Sequence, residues 1–257
     1  MFLGSNISLA QMALATAHGS SAWTPADITT ALWLDADDAT TITEVTGVSQ
    51  WDDKSTVGTR DVVQVDTNKQ PVYNSTAKTV TFDGSDDYLD VSFGETLTQP
   101  RCIFMVAKTT RGTPDDCFCD GISSTQRHAI FAQGGVFFGF SGAVLNGPSI
   151  DNVAHIFSVD YNGASGNVSI DGADGTDGAI GTQSLAGVRV GAPFAAAGQR
   201  LQGYIQEYVL TDAALSTDDR QKMQGYLAWK WDTINGDTAL VTALPAGHPY
   251  KSAAPTA

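Results

Sequence analysis

The 257-residue sequence holds 28 Asp and Glu against 14 Lys and Arg, and the resulting net charge of -14 opposes nonspecific attraction to nucleic acid or to an anionic lipid surface. Only 16% of residues are charged while 26 are glycine, which points to one all-β domain of many short strands and turns and away from a helical bundle. Three cysteines, Cys102, Cys117 and Cys119, lack any zinc spacing, and their odd number argues against a disulfide framework, although a bond from Cys102 to either of the others stays open.

Residues 1–22 are small, apolar and uncharged. The first basic residue is Lys54 and polar residues interrupt the run, so a secretory signal is not expected and synthesis in a host cytoplasm is. Phe2, Leu3, Ile7, Leu9, Met12 and Leu14 would form a sticky patch if left exposed, and the segment reads as an assembly arm that orders against another chain. No stretch approaches the roughly 18 apolar residues of a membrane-spanning helix, so no membrane insertion is expected.

From Trp23 a sandwich domain is expected to run to residue 250, with 251–257 as a free tail. Short strands are predicted at Ala31–Leu34, Val48–Trp51, Val62–Val65 and Val80–Phe82, each bounded by turn residues. Arg101–Lys108 is nearly all apolar, as a central strand covered on both faces would be. Phe131, Phe137, Phe138 and Phe140 around Gly134-Gly135 predict two strands and a tight turn; His155–Asp160, Asn167–Ile170 with an Asp171-Gly172 turn, and Val188–Gly191 continue the series.

Tyr204–Leu210 reads as a late strand. Ser216 then stands as the N-cap of a helix over about 217–234, with Asp218 and Asp219 in its first turn. Met223, Tyr226, Leu227, Trp231 and Ile234 give that helix an apolar stripe that can lie on a sheet, and Gly236 is its expected stop. Leu244, Pro245, His248, Pro249 and Tyr250 are expected to pack back on the body.

The late strand, the Ala-Leu-Ser turn and the Tyr-Leu-Ala-Trp-Lys-Trp helix resemble the end of laminin-G-like, concanavalin A-like jelly-roll domains of the phage (virion) and marine bacterial surface type. Leu-Trp-Leu-Asp-Ala-Asp-Asp at 32–38, Ser-Gln-Trp-Asp-Asp-Lys-Ser at 49–55, Phe-Asp-Gly-Ser-Asp-Asp-Tyr-Leu at 82–89 and Leu-Pro-Ala-Gly-His-Pro-Tyr at 244–250 extend the resemblance over nearly everything after residue 25. It implies a two-sheet antiparallel sandwich with one C-terminal amphipathic helix, often glycan-binding and displayed on a surface. Fold alone names no ligand.

Retaining hydrolases of concanavalin A-like fold place two carboxyls about 5 to 5.5 Å apart across the scissile bond. In the glucanase branch these come from a Glu-x-Asp-x-x-Glu pattern, whereas here Glu44, Glu95 and Glu207 are isolated from one another. No Gly-x-Ser-x-Gly elbow or phosphate loop is present, and His155, within an apolar run, reads as a satisfied core histidine. No cofactor is required. Calcium is the one ion the Asp clusters could take, with Asp83, Asp86 and Asp87 the candidate ligands, although that segment also reads as a turn. Trp23, Trp33, Trp51, Trp229 and Trp231 could serve a sugar ring, but Trp33, Trp51 and Trp231 fall at core positions.

The expectation is therefore a noncatalytic virion structural protein, a head decoration, fibre or tail adhesin. Its partners would be other capsid or tail proteins, further copies of itself with threefold symmetry by analogy with phage fibres, and a host-surface glycan. The alternatives are a bacterial cell-surface carbohydrate-binding module and, behind it, a polysaccharide hydrolase.

Overall fold

A computed structural model describes residues 21–113, 115–195, 198–235 and 239–257. Its strands in chain order are β1 (Thr30–Asp35), β2 (Ile42–Glu44), β3 (Val48–Trp51), β4 (Val62–Val63), β5 (Val72–Asn74), β6 (Thr79–Asp83), β7 (Leu89–Leu97), β8 (Arg101–Thr109) and β9 (Asp116–Asp120). After these come β10 (Ala129–Gln133), β11 (Val136–Phe140), β12 (Val144–Ser149), β13 (His155–Tyr161), β14 (Gly166–Ile170), β15 (Thr176–Gly178), β16 (Leu185–Val190) and β17 (Gln202–Thr211). Two helices follow, α1 (Thr217–Asn235) and α2 (Leu240–Ala243).

The strands form two antiparallel sheets. One runs β15-β14-β13-β8-β17-β6-β5, and β1 joins it by pairing with the second half of β17 where β6 pairs with the first half. The other runs β12-β11-β10-β9-β16-β7-β4-β3-β2. Rings from both sheets meet between them: Phe118 and Phe137 of the second lie 4.8 and 4.9 Å, centroid to centroid, from Phe157 of the first. This is the expected jelly-roll sandwich.

The local chemistry explains the sheets. In β11 the buried positions are Phe137 and Gly139 while Val136, Phe138 and Phe140 face outward, the two-residue period of a strand with one face on a core. A Cβ at Gly139 would stand 2.8 to 3.2 Å from Ile180, Val159 and Val168, so the sandwich closes there only around glycine. Gly134 and Gly135 carry φ of 59° and 80°, the left-handed pair that joins β10 to β11 with the twist of the strands.

β8 is central, as its apolar run predicts, between β13 and β17. Helix α1 covers its outer face. Ser216 caps it, the hydroxyl accepting from the Asp219 N–H at 3.1 Å and donating to the Asp219 carboxylate at 2.7 Å. Met223, Leu227 and Trp231 of the expected stripe are buried, while Tyr226 and Ile234 pack at its margin. Among the described residues no helix is long and apolar enough to cross a membrane.

Several expectations change. The strand expected at Val62–Val65 stops at Val63, and β2, β5, β7, β9, β12 and β15 were not anticipated, since each is short, polar on one face or broken by a bulge. The last seven residues are not free: Trp23 N–H donates to the Pro255 carbonyl at 3.2 Å, Ala257 N–H to Ser21 at 2.9 Å, and Pro255 is buried. All three cysteines are free thiols, with Cys102 in the first sheet and Cys117 and Cys119 in the second. Phe2, Leu3, Ile7, Leu9, Met12 and Leu14 of the expected arm, and Gly236, lie outside the described residues.

Candidate functional site

Three of the sequence motifs converge beneath the second half of α1. Glu207, fully buried on β17, receives Trp33 Nε1 (2.8 Å) and Tyr226 Oη (3.0 Å) on Oε1, and Lys230 Nζ (2.8 Å) and Trp231 Nε1 (2.7 Å) on Oε2. Lys230 also donates to Asp35 at 2.6 Å, and Asp35 takes Lys54 on its other oxygen at 2.8 Å. Burial pushes the Glu207 pKa up, but all four partners donate, so the arrangement fits the carboxylate. Burial would raise Asp35 too, yet Lys230 and Lys54 prevail and hold it below the ordinary Asp value. Lys230 is desolvated, and Glu207 and Asp35 nonetheless keep its pKa high. The Trp-Leu-Asp, Asp-Asp-Lys and Trp-Lys-Trp motifs are thus a closed structural lock.

Asp83, Asp86 and Asp87 come together as expected, with carboxylate oxygens all within 4.8 Å of one another. Asp83 Oδ1 accepts from Ser85 N–H (2.7 Å) and Asp86 N–H (3.3 Å), and Asp87 Oδ2 accepts from Asp83 N–H (3.0 Å). These bonds make the segment a turn between β6 and β7. Burial, helped by the two neighbouring charges, lifts Asp87 to about 6.

Beneath the first half of α1 the packing opens. A cleft of about 410 Å³ separates the start of the helix from the outer face of the first sheet. Its floor is a row across four paired strands: Cys102 on β8 opposes Asp160 on β13, Asp160 opposes Asn167 on β14, and Asn167 opposes Asp177 on β15. Its wall is Thr217, Arg220, Gln221 and Gln224, at the i, i+3, i+4, i+7 spacing that puts side chains on one helix face. The sheet-facing stripe of α1 is therefore polar before it becomes apolar, and polar side chains on both sides leave a hollow in place of a dry interface.

Few of these groups are free to move. Arg220 ion-pairs with Asp160 Oδ2. Asn167 Nδ2 donates to the Asp174 carbonyl (3.0 Å) and to Asp177 Oδ1 (2.8 Å), clamping the β14–β15 hairpin. Gln224 is oriented by His248, whose Nε2 lies 3.3 Å from its Oε1 and whose Nδ1 accepts from Tyr250 N–H, which assigns the Nε2–H tautomer. Burial, with the Asp160 charge beside it, pushes the Cys102 thiol up to about 12, so it stays protonated.

The remaining candidates have structural partners. Trp23, Trp33, Trp51 and Trp231 are buried, and Trp229 is half-buried with Nε1 on the Tyr250 carbonyl at 2.8 Å, so no tryptophan offers an open platform. His155 sits between Asp171 (2.7 Å) and Asp151 (3.1 Å); burial would lower its pKa, but the two carboxylates raise it. Glu95 pairs with Arg60 and Glu44 is exposed on β2. Aspartates do not sit at turns alone: Asp116 and Asp120 are fully buried on β9, each ion-paired with an arginine. Sequence reasoning passed over the cleft, although two signals marked it: Asp160 and Asn167 inside strands, and the polar spacing along 217–224.

No protein-family model and no curated protein sequence matches the chain. Among solved structures it is similar to the Trypanosoma rangeli sialidase in complex with 2,3-difluorosialic acid, at TM-score 0.51 and 10% identity, over 86% of this chain and 33% of that one. It is also similar to the Ruminococcus gnavus IT-sialidase CBM40 bound to α2,3-sialyllactose, at TM-score 0.38 and 14% identity, over 48% of this chain and 80% of that one. The chain spans about a third of the sialidase. At 10% identity the likeness to the sialidase is one of fold.

Proposed function

We propose that the chain is a noncatalytic glycan-binding sandwich displayed on a phage-type particle, as a head decoration, fibre or tail adhesin. It would associate with capsid or tail proteins and with its own copies, and residues 1–22 would supply the attachment. The observation that carries the binding half is the cleft, a preformed concavity lined by amides, hydroxyls and a carboxylate–guanidinium pair, the groups that fix sugar hydroxyls. The virion half is supported by the motif resemblance described above, which bacterial surface proteins share; a carbohydrate-binding module of such a protein would use the same cleft, and the neighbouring genes separate the two.

The noncatalytic reading is supported by where the acids stand. Glu207 accepts four donors in the core, Glu95 and Asp160 are held by arginines, and Asp177 is held by Asn167. None of these is a lone acid poised across a bond. The test is a glycan array of bacterial surface polysaccharides and host oligosaccharides, with reducing-end release measured on every binder. Saturable binding without turnover is expected. An array blank throughout ends the glycan reading, and sustained release of reducing ends ends the noncatalytic one.

A further inference from the structure

Lys230 brings reactive groups to one point inside the lock. Its Nζ donates to Asp35 Oδ1 at 2.6 Å, to Glu207 Oε2 at 2.8 Å and to Tyr226 Oη at 3.1 Å, so each ammonium proton has an acceptor. Asp35 and Glu207 are cross-strand partners on β1 and β17, 4% and 0% exposed, and the Lys230 side chain is 9% exposed. An ion pair needs one carboxylate for one amine, whereas here two buried carboxylates share it. An N···O distance of 2.6 Å leaves Nζ about 3 to 3.5 Å from the Asp35 carboxyl carbon, the separation at which held groups react.

The surroundings favour loss of charge. The Trp231 and Tyr226 rings lie 4.8 and 5.4 Å from Nζ, and Trp33 holds Glu207 by its indole N–H. Such walls keep out the water that would solvate an ammonium, and a desolvated lysine is a nucleophile. Two buried ions that become one neutral amide no longer need hydration, so burial drives a condensation that bulk water opposes. Lys54 Nζ sits 2.8 Å from Asp35 Oδ2, where negative charge grows as a nucleophile adds to the carbon. Asp37 is exposed and its N–H reaches Asp35 Oδ1 at 3.1 Å, so that edge of the carboxyl borders solvent.

We propose that Lys230 Nζ condenses once with the Asp35 carboxyl to form an intramolecular amide, with Glu207 as the proton carrier. The ion pair is the reactant state, which is why Asp35 and Lys230 hold their charges before the bond closes. Glu207 takes a proton from Nζ and passes it to Oδ1, so that a neutral amine faces a neutral carboxyl; burial, which raises the Glu207 pKa, suits it to that transfer. Nζ then adds to Cγ, and Lys54 holds the charge gained by Oδ2. Glu207 takes a second proton from the nitrogen and delivers it to Oδ1, which leaves as water. The C–N bond has formed, the C–Oδ1 bond has broken, one proton stays on the amide nitrogen and Glu207 is again a carboxylate. Ammonium and carboxylate become amide and water, with no co-reactant. The link spans 195 residues and ties β1 to α1.

The test is the intact mass of the denatured full chain, expected at the sequence mass less one water. A tryptic digest should join the Asp35 peptide to the Lys230 peptide and show no cleavage after Lys230. Asp35→Ala and Lys230→Arg should each keep full mass, and Glu207→Gln should cut the linked fraction at least about tenfold. Wild type at full mass, with trypsin cutting after Lys230, overturns the proposal without any variant having to fold. A lost water that maps instead to a succinimide at an Asp-Gly pair such as Asp171-Gly172 overturns it as well. Linkage undiminished in Glu207→Gln overturns the role given to Glu207. The mass and the glycan array succeed or fail independently.

Discussion

One helix lies over two carboxylates of one sheet and treats them in opposite ways. Under its second half Glu207 accepts Trp33, Tyr226, Trp231 and Lys230, two donors to each oxygen. Under its first half Asp160 has one cation, Arg220, on Oδ2, and beyond it only the weakly donating Cys102 thiol. Both are buried, so exposure does not set them apart; the count of donors does. A saturated buried ion holds a fold together, because removing any partner leaves a charge uncompensated. A sparsely paired one contributes less to the fold, and this sets the two halves of the helix apart.

The largest effect should come from breaking the saturated site. Lys230→Met removes the one cation shared by Asp35 and Glu207 and leaves both carboxylates in the core, a change that costs about 3 to 5 kcal/mol. Urea unfolding should show it as a lowered midpoint with unchanged slope. The double variant Glu207→Gln with Lys230→Met should recover part of the loss, since it removes charges of both signs. A single-variant loss below about 1 kcal/mol would mean the network is solvated, and the contrast with Asp160 would lose its basis.

Asp160→Asn should be milder for the same physical reason. It gives up a charge-assisted bond to Arg220, which is partly exposed and can be solvated, and at the same time removes a buried charge that only a weak thiol donor otherwise supports. The two nearly cancel, and unfolding free energy should stay within about 1 kcal/mol of wild type. If the loss matched that of Lys230→Met, Asp160 would belong to the lock and not to a binding site.

The sequence carried the two regions unequally. The lock was visible as motifs, because a saturated network needs particular donors at fixed places: Trp33 beside Asp35 on one strand, Trp231 next to Lys230 on one helix, Lys54 in the segment after β3. The strands of the core were legible wherever apolar residues alternate or run on, as in β8, β11 and β17. Strands that earn their place by pairing alone, such as β2, β5 and β15, were not, since three residues hold too little periodicity. The cleft was hardest to see. It arises from an Asp, an Asn and a helix stripe that come together through register, where the consecutive strands β13, β14 and β15 pair beside the distant β8 and lie under a helix still later in the chain. A polar residue inside a strand looks like a flaw in a pattern until its neighbours are known.

Asp87 stands lowest on the same scale and gives the smallest effect. It is 7% exposed, its carboxylate accepts one neutral N–H from Asp83, and two like charges stand beside it. Burial and those charges raise its pKa from 3.8 in the unfolded chain to about 6 in the fold. The folded state therefore holds the proton more tightly, so the stabilising contribution is full below about 3.8 and is lost as pH rises to about 6 and beyond. Asp83 is shifted the opposite way, so the wild-type profile alone mixes the two. Asp87→Asn keeps an acceptor for the Asp83 N–H and removes the charge; relative to it, wild type should lose stability between pH 4 and 6.5 and run parallel above. A parallel course throughout would mean the carboxyl titrates normally and the turn is not strained by it. Millimolar calcium is the complementary arm. An ion bound by Asp83, Asp86 and Asp87 would hold Asp87 ionised and flatten the difference, whereas a turn fastened by its own backbone N–H groups leaves it unchanged, which is the result the hydrogen bonds at Asp83 predict.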